Sequence, residues 1–242
     1  MGIIAVDPTS PFSGGAVLGD RIRMQQHYLD PGVFIRSMAT RGSRGGLPTA
    51  TRNVMKLLDA YGKDVILVET VGVGQTELDI METVDTTVVS LVPEAGDNIQ
   101  TMKAGLMEIA DIFVVNKADR PGADKLMNEL QSMLTLAPER SAWSPPVLAT
   151  EAINNVGIEE LYEAILQHQE FLKSSGELQI RRVQHRKDEF LHAVGQRARR
   201  RSLAQIEKNE RLMPLLKQVE HGEIDPYSAA EIIEREDITS ID

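Results

Sequence analysis

Cysteine is absent from the 242 residues, and with it go disulfides, thiolate zinc sites, iron–sulfur clusters and thiol nucleophiles. Aromatic residues are scarce at 4%, yet hydrophobic residues reach 42%, enough for one good core plus a small appendage. No apolar stretch approaches the roughly 18 residues of a membrane span. The opening Met1-Gly-Ile-Ile-Ala-Val-Asp7 lacks the basic flank and long apolar region of a signal peptide. Positive charge is also short, with 26 Lys+Arg against 36 Asp+Glu and a formal charge of −10. Such a surface repels nucleic acid and anionic membrane unless a local basic patch overrides it. The expectation is a soluble, acidic, cytoplasmic protein with neither nucleic acid nor membrane as partner.

What is present is order of one kind. From Ile3 to about Phe171, short Val/Ile-rich runs alternate with amphipathic stretches of helical length. The runs are Ile3–Val6, Gly32–Ile35, Val65–Val68, Thr87–Val92, Ile112–Val115 and Val147–Leu148. They show little period-two alternation, which suits parallel strands buried on both faces. Helices are expected at Leu47–Tyr61, Asn98–Ile109, Ala123–Leu136 and Ile158–Leu172. The alternation predicts an open, mostly parallel α/β sheet. After Lys173-Ser-Ser-Gly176 the chain turns polar and basic, with Arg181, Arg182, Arg186, Lys187, Arg197, Arg199, Arg200 and Arg201. A sparse stripe of Leu178, Val183, Phe190, Leu191 and Val194 predicts a long amphipathic helix from Glu177 to about Met213. A short helical tail should end near Glu236. Two domains follow, 1–173 and a helical extension at 174–242. A stripe that narrow needs a partner surface, and Leu212, Leu215, Leu216 and Val219 extend it.

Three segments carry chemistry. Ile112-Phe-Val-Val-Asn116-Lys117-Ala-Asp119 is a buried strand running into Asn-Lys-x-Asp. A carboxylate there can accept both N1–H and N2–H of guanine, a donor pair that adenine lacks. Asn116 and the Lys117 stem would hold the loop and flank the base. Alone, the four residues also suit an ordinary turn. Val65-Ile-Leu-Val-Glu69-Thr-Val-Gly72-Val-Gly-Gln75 is a second strand ending in an acid and a glycine loop. Glu69 is placed to hold a magnesium-bound water, and Gly72 lets a backbone N–H approach a γ-phosphate. In the third, a strand ends at Asp7, and a Pro/Ser/Gly-rich loop leads to Asp20. Two carboxylates at loop edges suit a magnesium shell and a nucleotide-sensing switch.

With these segments the chain closely resembles the GTPases that serve adenosylcobalamin-dependent acyl-CoA mutases, the MeaB family, also labelled ArgK or lysine–arginine–ornithine transport-system ATPases. The resemblance spans essentially the whole chain. It rests on Val6–Gly15, Leu18–Met24, Phe34–Gly42, Glu69–Gln75, Lys103-Ala-Gly105, Asn116–Asp119 and Ile224–Ala230. It implies a P-loop NTPase-like fold of the SIMIBI class with a C-terminal helical extension. It implies GTP/GDP and Mg²⁺ as cofactors and a methylmalonyl-CoA mutase-type enzyme as partner, in whose cofactor loading or protection the chain assists. Residue by residue, it assigns Asp7, Asp20 and Glu69 to the metal and switches. Glu69, Gly72 and Gln75 fall to catalysis at the γ-phosphate. Asn116, Lys117 and Asp119 fall to the base, and Thr150-Glu151-Ala152 to the later base-side loop. There Glu151 stands where serine is more usual. Asp97, Gln100 and Lys103 match a loop that signals nucleotide state to the mutase, and the helical tail matches a homodimerisation region.

One departure from the family is large. No Gly-x-x-x-x-Gly-Lys-Ser/Thr occurs in these 242 residues. That loop cradles the α/β-phosphates and supplies a lysine and a magnesium hydroxyl. The expectation is therefore a sheet lacking the family's first strand and P-loop, from a truncated chain that binds GTP poorly. The alternative function is a non-catalytic scaffold that contacts a mutase and dimerises. Other features favour plain structure: the His185, Asp188/Glu189 and His192 face reads as solvated helix. Trp143 reads as packing.

Overall fold

All strand pairs are parallel, as continuous Val/Ile runs between helical segments require. The computed structural model describes residues 1–7, 24–39, 49–70, 83–93, 109–136, 142–208 and 212–239. Its strands are β1 (Gly2–Asp7), β2 (Phe34–Ala39), β3 (Ile66–Thr70), β4 (Val88–Leu91), β5 (Ile112–Asn116) and β6 (Val147–Thr150). Helices α1 (Thr49–Ala60), α2 (Ala123–Leu136) and α3 (Ile158–Ser174) lie between and after them. Helices α4 (Glu177–Lys208), α5 (Leu212–Glu220) and α6 (Pro226–Thr239) follow. The α/β class with C-terminal helices is the one that the sequence predicts.

The expected single sheet is realised as two three-stranded ladders among the described residues, β2-β1-β3 and β4-β5-β6. β3 and β4 exchange no ladder hydrogen bonds, so each ends its own sheet. Burial on both faces therefore holds for the two central strands and not for all six. Ile4, Val6 and Leu58 of α1 form one core. β5 divides its side chains by the two-residue period of a strand: Phe113 and Val115 pack on Ala123, Leu126 and Leu130 of α2. Ile112 and Val114 pack on Ala164 of α3. This clamps β5 between two helices and fixes where its carboxyl end points.

Element boundaries moved where turn chemistry competes with the apolar pattern. β2 begins at Phe34 rather than Gly32. The Asp30 carboxylate accepts the Gly32 N–H at 2.8 Å and the Asp30 carbonyl accepts the Val33 N–H at 3.0 Å, so both residues belong to the turn. The expected helix Asn98–Ile109 lies outside the described residues except at its end. The chain divides into two compact units, Met1–Gln184 and His185–Asp242. In the second unit α5 and α6 pack on each other, and Leu212 is already buried within the chain. Leu215 and Val219 are half-buried. Apolar surface is left over on α4, where Phe190, Leu191 and Val194 are 66%, 55% and 48% exposed, and on α5, where Leu216 is 41% exposed.

Candidate functional site

The carboxyl ends of β5 and β6 lie side by side, because Asn116 is the register partner of Thr150. Asn116 closes the space between them. Its Oδ1 accepts the Thr150 hydroxyl and the Ala152 N–H, each at 3.2 Å. One side chain thus ties the Asn-Lys-x-Asp turn to the loop after β6. The backbone adds a second tie, with the Ala118 N–H donating to the Thr150 carbonyl at 3.0 Å.

That tie requires an unusual backbone. Lys117 sits at φ 58°, in the left-handed region that costs a non-glycine residue about 1–2 kcal/mol. The reversal aims the next amide at β6, and the Arg120 N–H donates to the Lys117 carbonyl at 3.0 Å to close the turn. Asp119 is carried at the exposed tip, while Asn116 and Lys117 stay half-buried. An exposed acceptor beside a tethered, half-buried amide anchor is the arrangement that reading a base edge needs.

The loop after β6 is equally constrained. Glu151 and Val156 form a bridge, the Glu151 N–H donating at 3.0 Å and the Val156 N–H returning at 3.3 Å. The short turn Ala152–Asn154 lies within it, and Asn155 (φ 56°) and Gly157 (φ 73°) reverse the chain into α3. The glutamate at the usual serine position is accommodated for a visible reason. Thr150 supplies the hydroxyl to Asn116, and the Glu151 carboxylate turns away to accept from Asn154 Nδ2 at 3.0 Å. The sequence reading named these loop residues but not Asn155 or Gly157. Asn-Asn-Val-Gly was the available signal, since these types tolerate left-handed backbone. Replacing Asn116 by alanine should remove both side-chain ties and loosen residues 150–152. Amide exchange there should rise on the order of tenfold, as expected for losing the partner of the buried Thr150 hydroxyl and of the Ala152 N–H.

The other expected site residues divide. Glu69 is half-buried near the carboxyl end of β3, in register with Ala5 on neighbouring β1. Asp7 ends β1, described by its backbone alone. Asp7 and Glu69 thus belong to adjacent parallel strands, near their carboxyl ends. Among the described residues no group of three or more His, Asp or Glu gathers to hold a metal by itself. Asp20, Gly72, Gln75, Asp97, Gln100 and Lys103 lie outside the described residues. No helix among the described residues is long and apolar enough to cross a membrane.

Comparison with known proteins identifies the family. A Pyrococcus abyssi protein named as a GTPase is 54% identical over 239 residues, covering 98% of this chain and 74% of that protein. The mouse mitochondrial methylmalonic aciduria type A homolog is 38% identical over 191 residues, 77% of this chain and 46% of its own length. A crystal structure of an LAO/AO transport system kinase superposes with a TM-score of 0.65 at 26% identity, covering 97% of this chain and 70% of the other. The profile of the methylmalonyl-CoA mutase-associated GTPase family matches residues 1–207. The chain therefore belongs to the methylmalonyl-CoA mutase-associated GTPase family, MeaB.

Proposed function

We propose that this chain binds guanine nucleotide at the carboxyl ends of β5 and β6. On this reading it serves as a GTP-dependent chaperone of an adenosylcobalamin-dependent acyl-CoA mutase, assisting cofactor loading or protection. The observation that carries the reading is the Asn116 clamp. It holds Asp119 as an exposed acceptor beside the Thr150–Ala152 loop. In this assignment Asp119 accepts the guanine N1–H and N2–H while the Lys117 stem covers one face of the base. Asp7, Asp20 and Glu69 would hold Mg²⁺, which when bound would neutralise charge on the nucleotide phosphates. Gly72 offers a backbone N–H to the γ-phosphate, and Gln75 belongs to the same γ-phosphate loop. Asp97, Gln100 and Lys103 pass the nucleotide state to the mutase.

The domain assignment is a GTPase body at 1–173 and a dimerising tail at 174–242. Phe190, Leu191 and Val194 are the exposed apolar residues that support α4 as the contact. Burying them against a second copy contributes about 1.5–3 kcal/mol each before ordering costs. The chain should scatter light as a dimer, and Phe190→Glu with Leu191→Glu should give the monomer mass. Equal masses would move the interface elsewhere.

A second reading has its own observation, the lack of a Gly-x-x-x-x-Gly-Lys-Ser/Thr segment in the sequence. It makes the chain a mutase-binding scaffold without turnover. Two assays on the purified chain separate the readings: magnesium-dependent GTP hydrolysis and mutase binding by calorimetry. Nucleotide-dependent mutase binding supports the chaperone, and nucleotide-independent binding at background turnover supports the scaffold. Failure to bind a mutase in any nucleotide state overturns both.

A further inference from the structure

The first two turns of α4, residues 177–184, bury little apolar surface, with Leu178 half-buried. Ile180 and Val183 are 69% and 52% exposed. Polar contacts are dense there instead. Arg181 donates from Nη1 to the Asp85 carbonyl at 3.3 Å and to Asp111 Oδ2 at 3.2 Å, and from Nη2 to Asp111 Oδ1 at 3.0 Å. Arg182 donates to both Asp85 carboxylate oxygens, from Nε at 3.1 Å and Nη2 at 2.7 Å. Asp85 precedes β4 and Asp111 immediately precedes β5. Two adjacent arginines therefore grip the amino-terminal ends of two paired strands, opposite the candidate nucleotide site.

Asp111 is fixed from every side. The Thr87 N–H donates to its carboxylate at 2.8 Å, and the Trp143 indole N–H donates to its carbonyl at 2.8 Å. Fully buried His168 of α3 places Nε2 3.3 Å from Asp111 Oδ1, off the hydrogen-bond axis, and its Nδ1 lies 2.9 Å from the Thr86 hydroxyl. Trp143 and Phe171 cover the imidazole at ring distances of 4.8 and 6.3 Å.

We propose that Asp111 and Asp85 form a latch for the foot of α4, an ion-paired fastening that opens locally while the strands beneath stay folded. The two halves differ in strength. The Arg181–Asp111 fork is partly desolvated, with side chains 30% and 11% exposed, so it is screened less than a surface pair. The Arg182–Asp85 pair is 51% and 42% exposed and adds little at high salt. Burial pushes the Asp111 carboxyl up, but the adjacent His168 imidazole and the bonds from Arg181 and the Thr87 N–H outweigh it and hold the group below the usual carboxylate range. The stability it adds is therefore present above the ordinary aspartate range and is lost as pH falls through the lowered value. Gly176 supplies the hinge: it joins α3 to α4 at φ 79°, with nothing within 4 Å of the place a Cβ would occupy.

Amide hydrogen exchange on the full chain tests the latch. Arg181→Ala should accelerate exchange at 177–184 on the order of tenfold or more, with the β5 amides unchanged. Arg181→Lys should recover only part, because an ammonium cannot form the fork. Raising NaCl from about 50 mM to about 500 mM should speed exchange at 177–184 in the parent and far less in Arg182→Ala, which lacks the exposed pair. Unchanged exchange in Arg181→Ala would overturn the latch. So would an equal rise in β5, which would make Arg181 part of the core. Should Arg181→Ala not fold, the salt series on the parent and on Arg182→Ala decides, and a parent foot that does not respond to salt sinks the proposal.

Discussion

Gly157→Ala should destabilise the fold by about 2–5 kcal/mol, the sum of backbone strain and overpacking. A Cβ at this position would stand 2.1 Å from the Ala149 carbonyl oxygen, an atom of β6 that cannot move without breaking the ladder to β5. The residue also sits at φ 73°, where alanine is strained whatever the space. Gly176 offers the matching control, at φ 79° with open space around it. Gly176→Ala should cost only the backbone share, about 1 kcal/mol. Chemical denaturation of the two variants separates the terms. Equal losses would mean that the close approach to β6 is relaxed in solution.

Asp119→Asn should change base choice rather than stability, since the side chain is exposed at the tip of its turn. Guanine offers two adjacent N–H donors to a carboxylate, and an amide presents one acceptor and one donor. Guanine nucleotide affinity should fall by about 1–3 kcal/mol, roughly ten- to hundredfold. Xanthine carries a carbonyl where guanine carries its amino group, so the amide regains a complementary pair and xanthine nucleotides should gain relative to guanine. Competition titrations with GDP and XDP read the exchange directly. Undiminished GDP affinity in the variant would remove Asp119 from the base site.

The parts legible in the sequence were those with local causes. Ile112–Val115 is apolar without interruption because α2 and α3 cover both its faces, and the following Asn-Lys-x-Asp declares its turn. Glu69 likewise sits near a strand end that composition marks, whereas Thr150, which ends β6, was reached only through the family resemblance. The illegible parts depend on distant partners. Asp111 and His168 are 57 positions apart, and neither belongs to a periodic pattern that would bring them together. Trp143 was readable as packing, but not as packing on an imidazole. Leu212 looked like an extension of the α4 stripe, and is buried within the chain because a helix face can be satisfied by the next helix as well as by a second copy. The role of Asn116 stood in between: the sequence suggested that it holds its loop, and the structure gives the Thr150 hydroxyl and Ala152 N–H as what it holds.

The most direct test of guanine recognition is an amide chemical-shift titration of the isotopically labelled 242-residue chain with GDP, in parallel with ADP. Millimolar ligand registers even weak binding, so the test does not depend on tight phosphate contacts. The account predicts saturating shifts at residues 116–119 and 150–153 with GDP, and none there with ADP. Equal shifts with both nucleotides, or GDP shifts that bypass these two loops, would contradict it.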